Sequence, residues 1–159
     1  MELPFKESQK FIHNRFVIAL MLFALFPLVL AIKSYIEQDS LDLYFGSSTA
    51  FICLLLVQLA VLILFITMKL ETEIDQDKIH FQMFPFTKKE WNWSEVKSAK
   101  VVNYGFVGGW GIRIGTKYGT VYNIKGKMGL AIELKNGKKY CIGTQKPEAL
   151  SEVIKLIKI

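Results

Sequence analysis

Side chains able to do chemistry are scarce in this sequence. Its 159 residues include two histidines, His13 and His80, and two cysteines, Cys53 and Cys141. No His-Glu or Cys-His grouping occurs, which excludes the usual metal-ligand spacings and a nucleophile paired with its base. Cys53 lies in an apolar run and Cys141 in a late strand-like stretch. The two are not placed to bridge, and separated free thiols suit a reducing compartment.

Glycine is nearly missing from the first two thirds of the chain. Ten of the eleven glycines fall between Gly105 and Gly143, so their spacing can be tested against phosphate-binding loops. A P-loop requires Gly-x-x-x-x-Gly-Lys followed by Ser or Thr. Gly126-Lys127 is followed by Met128, and Val121 stands where the first glycine belongs. A dinucleotide loop requires Gly-x-Gly-x-x-Gly opening a helix. Gly109-Trp-Gly111 instead continues as the strand-like Ile112-Arg-Ile114. The cluster therefore reads as punctuation in a sharply bending sheet, where glycine permits positive φ and bulges. Trp110 is expected to fill the room the glycines leave.

What the chain has in quantity is apolar sequence. Phe16 to Ile32 is uncharged for seventeen residues and Phe45 to Met68 for twenty-four. A membrane-crossing helix needs roughly 20 apolar residues, with a range of about 17 to 25. Neither run shows the polar face of an amphipathic core helix. A cleavable signal peptide fits the first run poorly, because its apolar core is too long and Ala31-Ile-Lys33 is a poor cleavage site. Residues 16–32 and 49–68 are thus predicted as two transmembrane helices. Lys6, Lys10 and Arg15 precede the first, whereas one lysine faces Glu37, Asp39 and Asp42 in the connection. The excess of basic residues marks the cytoplasmic side, so residues 1–15 form a cytoplasmic flank, 33–48 an external loop and 69–159 a cytoplasmic domain. Inside the second span, Gln58 is a candidate helix-helix contact. Pro27 should kink the first.

From Lys69 onward the pattern is one of short strands. Leu70–Asp75 and Ile79–Phe84 form a predicted hairpin closed by Pro85, followed by strands at 89–93 and 96–104. Later come 119–124, 130–134 and 138–142, the last two joined by Asn136-Gly137, which favours a type I′ turn. Leu150, Val153, Ile154 and Ile157 then form one stripe of a helix begun by Pro147. That helix is expected to plug an open barrel.

Glu71, Glu73, Asp75 and Asp77 alternate along the first strand and read as a solvated face, since they lack the calcium-loop pattern. The stretch from Lys69 to Ile159 carries sixteen Lys and Arg against nine Asp and Glu, a net of +7. Lys125, Lys127, Lys138 and Lys139, in or beside turns, are the candidate contacts to anionic lipid headgroups. Nucleic acid is not an expected partner, because no recognition helix or stacking motif is present.

The run Gly108-Gly-Trp-Gly-Ile-Arg-Ile114, then Tyr122-Asn123, Gly126, Gly129, Ile132-Glu-Leu134, Gly137-Lys138 and Ile142-Gly-Thr-Gln-Lys-Pro-Glu148 resembles the bacterial pleckstrin-homology-like domain of small membrane proteins. Trp93-Ser-Glu-Val96 is similar to the short segment between that family's early strands. The resemblance implies a membrane α+β protein: a transmembrane helical hairpin, then a bent antiparallel barrel or roll of about seven strands capped by a C-terminal helix. It implies no reaction and no cofactor. The expected function is a non-enzymatic scaffold for a protein partner or homo-oligomer at the bacterial cytoplasmic membrane, with both termini cytoplasmic. Anionic-lipid binding through the lysine-rich turns is the alternative.

Overall fold

The computed structural model of the chain describes residues 5–13, 15–37 and 48–157. It is an α+β architecture in two units, one formed by residues 5–10 with 68–157 and the other by 11–67.

The second unit is helical. After a 3₁₀ turn at Phe11–His13 come α1 (Arg15–Phe23), α2 (Phe26–Glu37) and α3 (Ser48–Thr67). The expected single helix over 16–32 is broken at Ala24-Leu25. Pro27 explains the break: it has no N–H to give Phe23 and its ring collides with that carbonyl. Leu25 N–H instead donates to Leu22 O at 3.1 Å, a tighter turn. Only α3 is long and apolar enough to cross a membrane among the described residues, over Thr49–Thr67. Its end is marked by Thr67, whose hydroxyl donates back to Ile63 O at 2.9 Å. Most of the predicted external loop lies outside the described residues.

Among the described residues the first unit holds nine strands in two sheets. In sheet A, β1 (Phe5–Lys10), β2 (Lys69–Ile74), β3 (Lys78–Phe84) and β4 (Thr87–Asn92) form an antiparallel meander. In sheet B, β5 (Val96–Asn103), β6 (Gly111–Thr116), β7 (Gly119–Asn123), β8 (Met128–Leu134) and β9 (Lys139–Gly143) are ordered β5-β8-β9-β7-β6. The sheet is mixed, because β7 runs parallel to β9. An all-antiparallel roll of about seven strands is thus corrected to nine strands with one parallel pair. Helix α4 (Pro147–Leu156) closes the chain and packs on β5, β1 and β8.

Alternation builds the core. Leu70, Ile74, Ile79, Phe81 and Met83 project from one face of sheet A and are fully buried. Tyr122, Ile124, Leu130, Ile132 and Ile142 answer from sheet B, with Leu150 from α4. The Phe81 ring centroid lies 4.7 Å from Tyr122 and 5.4 Å from Trp91, and Trp91 lies 4.7 Å from Tyr140. These rings join the two sheets.

Two local expectations change in detail. The β8–β9 connection is a three-residue loop rather than a two-residue type I′ turn: Leu134 N–H donates to Lys138 O, and Gly137, at φ 82°, donates to Leu134 O. A type I turn followed by a left-handed residue produces this loop. The larger change is β1. Residues 5–10, within the N-terminal flank, are the first strand of sheet A, paired along β2 from Phe5↔Ile74 to Lys10↔Lys69.

Candidate functional site

Four features of the β unit bear on function: a charged sheet face, a bound N-terminal strand, scattered lysines and an open edge.

The outward face of sheet A is lined with ion pairs. Glu73 accepts from Lys6 across β1–β2, Lys69 meets Glu71 at 2.9 Å, and Glu90 faces Lys78 at 3.1 Å and His80 at 3.4 Å. The hydrogen bond from Lys6 holds the Glu73 carboxyl below the usual carboxylate range, and Lys78 and His80 do the same to Glu90. Asp75 is turned into the hairpin, where it accepts from Asp77 N–H at 2.9 Å and Lys78 N–H at 2.8 Å. Glu71, Glu73 and Asp75 are thereby occupied with cations and turn amides. Cys141 is fully buried, and burial pushes its thiol up to about 12, which removes the thiolate that nucleophilic work needs.

The inward face of β1 is polar where a core strand is normally apolar. Glu7 and Gln9 are buried beside Thr72 and Thr144. The Glu7 carboxylate accepts from Thr144 Oγ1 at 2.6 Å and from Gln145 N–H at 2.7 Å, while Gln9 Nε2 donates to Gly143 O at 2.8 Å. β1 therefore bonds the β9–α4 corner as well as β2. Apolar alternation misses this strand because its buried positions read Phe-Glu-Gln.

The four lysines singled out from sequence do not form one patch. Lys125 and Lys127 precede β8, whereas Lys138 and Lys139 follow it. Seven residues of strand separate the pairs by about 20 Å. Lys139 instead lines a cleft of about 240 Å³ with Lys100, Lys117, Tyr118, Tyr140 and Glu133. Gln58 stands near the middle of α3, in the other unit.

The glycine cluster leads into the open edge. Gly105, Gly108, Gly109 and Gly111 all have positive φ, and the next element is strand β6, with no helix N-terminus to hold an anion. Arg113 stands over Gly109: a Cβ there would be 2.6 Å from Arg113 Nη2. Among the described residues β6 pairs only with β7, so its outer side is a sheet edge. Ile114 on that strand and Phe106 before it are each 83% exposed. Proteins normally blunt such an edge with charge or proline.

No known protein family matches the chain, and neither a curated protein nor a solved structure does.

Proposed function

We propose that the chain is a non-enzymatic, membrane-anchored scaffold whose β6 edge docks an extended segment of a protein partner, with a second copy as the homotypic case. The observation that carries this reading is the unpaired β6 edge with Ile114 and Phe106 exposed beside it. Main-chain hydrogen bonds to a free edge give affinity, and alternate side chains give selectivity.

The anchor follows from connectivity. Lys10 and Lys69 are register partners, so the chain leaves sheet A and returns to it at the same place. If α3 crosses a bilayer, the segment before it crosses back, and the number of passes is even. The broken pair α1–α2 is the part available for that return, in place of the kinked but continuous first span expected from sequence. The basic N-terminal flank supports a cytoplasmic β unit. A four-stranded meander, a second sheet and a closing helix support the pleckstrin-homology-like reading, from which the parallel β7–β9 pair is a departure.

The test is photocrosslinking from position 114 in the full-length protein in native membranes, with position 71 on the ion-paired face as control. A crosslinked species of one defined mass, lost when Phe106→Asp is added, supports docking at β6. Intact membrane-inserted protein that gives no defined species from position 114 sinks it.

A second reading rests on the lysine cleft, where Lys100, Lys117 and Lys139 surround space for an anionic headgroup. Short-chain phosphatidic acid added to detergent-solubilised protein should shift the amide resonances of these three residues, and an unshifted spectrum excludes it.

A further inference from the structure

We infer that the β3–β4 turn, Phe84-Pro85-Phe86, is a second membrane contact that inserts its two phenylalanines among lipid headgroups and upper acyl chains. This rests on the reading above that α3 crosses a bilayer. The turn is tight, with Phe86 N–H donating to Met83 O at 2.8 Å. Phe84 is 39% and Phe86 53% exposed, although every other large apolar residue on the two strands is buried. Two adjacent exposed aromatic rings at a turn face no partner within their own sheet and ask for an apolar one.

Register says which partner is in reach. Lys10, Lys69 and Phe84 stand in one row across β1, β2 and β3. Both points at which the chain leaves sheet A for the apolar segment therefore lie in the row that ends in this turn. Lys69 is two residues beyond Thr67, the last residue of α3. Chain length limits that step to about 7 Å, and antiparallel partners are about 5 Å apart. Phe84 Cα thus lies within about 12 Å of the helix end, a bound set by covalent geometry and strand pairing alone.

The bilayer dimensions match that bound. The twenty residues of α3 span about 30 Å, the thickness of the hydrocarbon core. Its C-terminal end then sits at the edge of the hydrocarbon, and the next few ångströms are headgroups. Lys10, Lys69 and Lys88 flank the phenylalanines at this end, the combination of aromatic and basic side chains that anionic interfaces hold. A turn tethered this near the end of a spanning helix is within reach of the headgroup layer, so lipid is the occupant that chain connectivity favours.

Single cysteines at position 59 (Leu59→Cys, mid-α3), position 86 (Phe86→Cys) and position 136 (Asn136→Cys, in the β8–β9 loop) test this in the full-length chain carrying Cys53→Ser. Each is labelled with bimane and reconstituted into phosphatidylcholine vesicles containing phosphatidylglycerol, with and without lipids brominated on the acyl chain. Collisional quenching at 59 and 86, several-fold above that at 136, is the expected result. Strong quenching at 59 with position 86 no different from 136 overturns the inference and leaves the spanning reading intact. Absence of quenching at 59 overturns the spanning reading and this inference with it. Phe84→Ser in the chain labelled at 86 should reduce quenching there while leaving position 59 unchanged, which separates shallow insertion of the turn from general membrane proximity.

Discussion

Thr144 Oγ1 donates a 2.6 Å hydrogen bond to the Glu7 carboxylate across 137 positions of sequence. The same carboxylate accepts from Gln145 N–H, so one side chain ties the first strand to the corner that starts the last helix. Glu7→Ala leaves a buried hydroxyl and an amide without their acceptor, and a buried donor stranded in this way costs about 1–3 kcal/mol. Glu7→Gln, which keeps an acceptor oxygen, should cost less. Urea unfolding of the detergent-solubilised protein reads both, and no loss in either variant would show that these two hydrogen bonds do not hold the corner.

Phe81 is the side chain through which the sheets meet. It is fully buried between Trp91 and Tyr122, and Phe81→Ala should destabilise the β unit by about 3–5 kcal/mol. Phe106→Ala, at an 83% exposed position, should stay within about 0.5 kcal/mol. Thermal melts of the two variants side by side check the contrast, which fails if their midpoints coincide.

Two glycines separate backbone strain from collision. Gly105 and Gly119 have φ of 69° and 76°, yet a Cβ at 105 meets nothing within 4 Å while one at 119 stands 2.0 Å from Lys139 O. Gly105→Ala should therefore cost about 1 kcal/mol, the left-handed penalty alone. Gly119→Ala adds displacement of the β9 backbone and should exceed about 2 kcal/mol. Denaturant midpoints that rank the two in the reverse order would refute this.

Acid should weaken the β unit through its exposed ion pairs. Lys6 depresses Glu73, Lys78 and His80 depress Glu90, and Lys97 depresses Glu133. A carboxyl whose folded pKa is depressed gives stability that is full above its unfolded pKa and is lost as pH falls through the folded value. The loss should thus start in the ordinary carboxylate range and finish below it. Because these pairs are exposed, added salt should flatten the profile. Stability measured against pH at two ionic strengths tests it, and a profile indifferent to salt would assign acid loss to other groups.

Cys141 should resist maleimide in the folded protein, since its thiol is held at about 12 and fully buried. Labelling should appear only in step with unfolding. Rapid modification at neutral pH without denaturant would contradict the burial.

The strands from β2 to β9 were largely legible because each has a period or punctuation of its own. Leu70, Thr72 and Ile74 alternate with Glu71 and Glu73, Pro85 stops β3, and Gly137 marks the last hairpin. The candidate sites were less legible. Lys125, Lys127, Lys138 and Lys139 are close in sequence but stand at opposite ends of β8, because a strand carries the chain about 3.3 Å per residue without turning back. The aromatic turn and the exposed β6 edge become visible only when it is known which neighbours fail to cover Phe84, Phe86 and Ile114.

Sequence by itself determined where apolar runs alternate with short strands, that α3 is long enough to cross a bilayer, and that the glycine cluster bends strands rather than cradling phosphate. These depend on local quantities: run length, period and permitted φ. Tertiary structure alone decided that residues 5–10 are a strand, that β7 lies parallel to β9, and that Lys10, Lys69 and Phe84 share one row. The buried face of β1 holds Glu7 and Gln9, whose place in the core depends on acceptors and donors more than a hundred residues away. No local pattern encodes a partner at that distance.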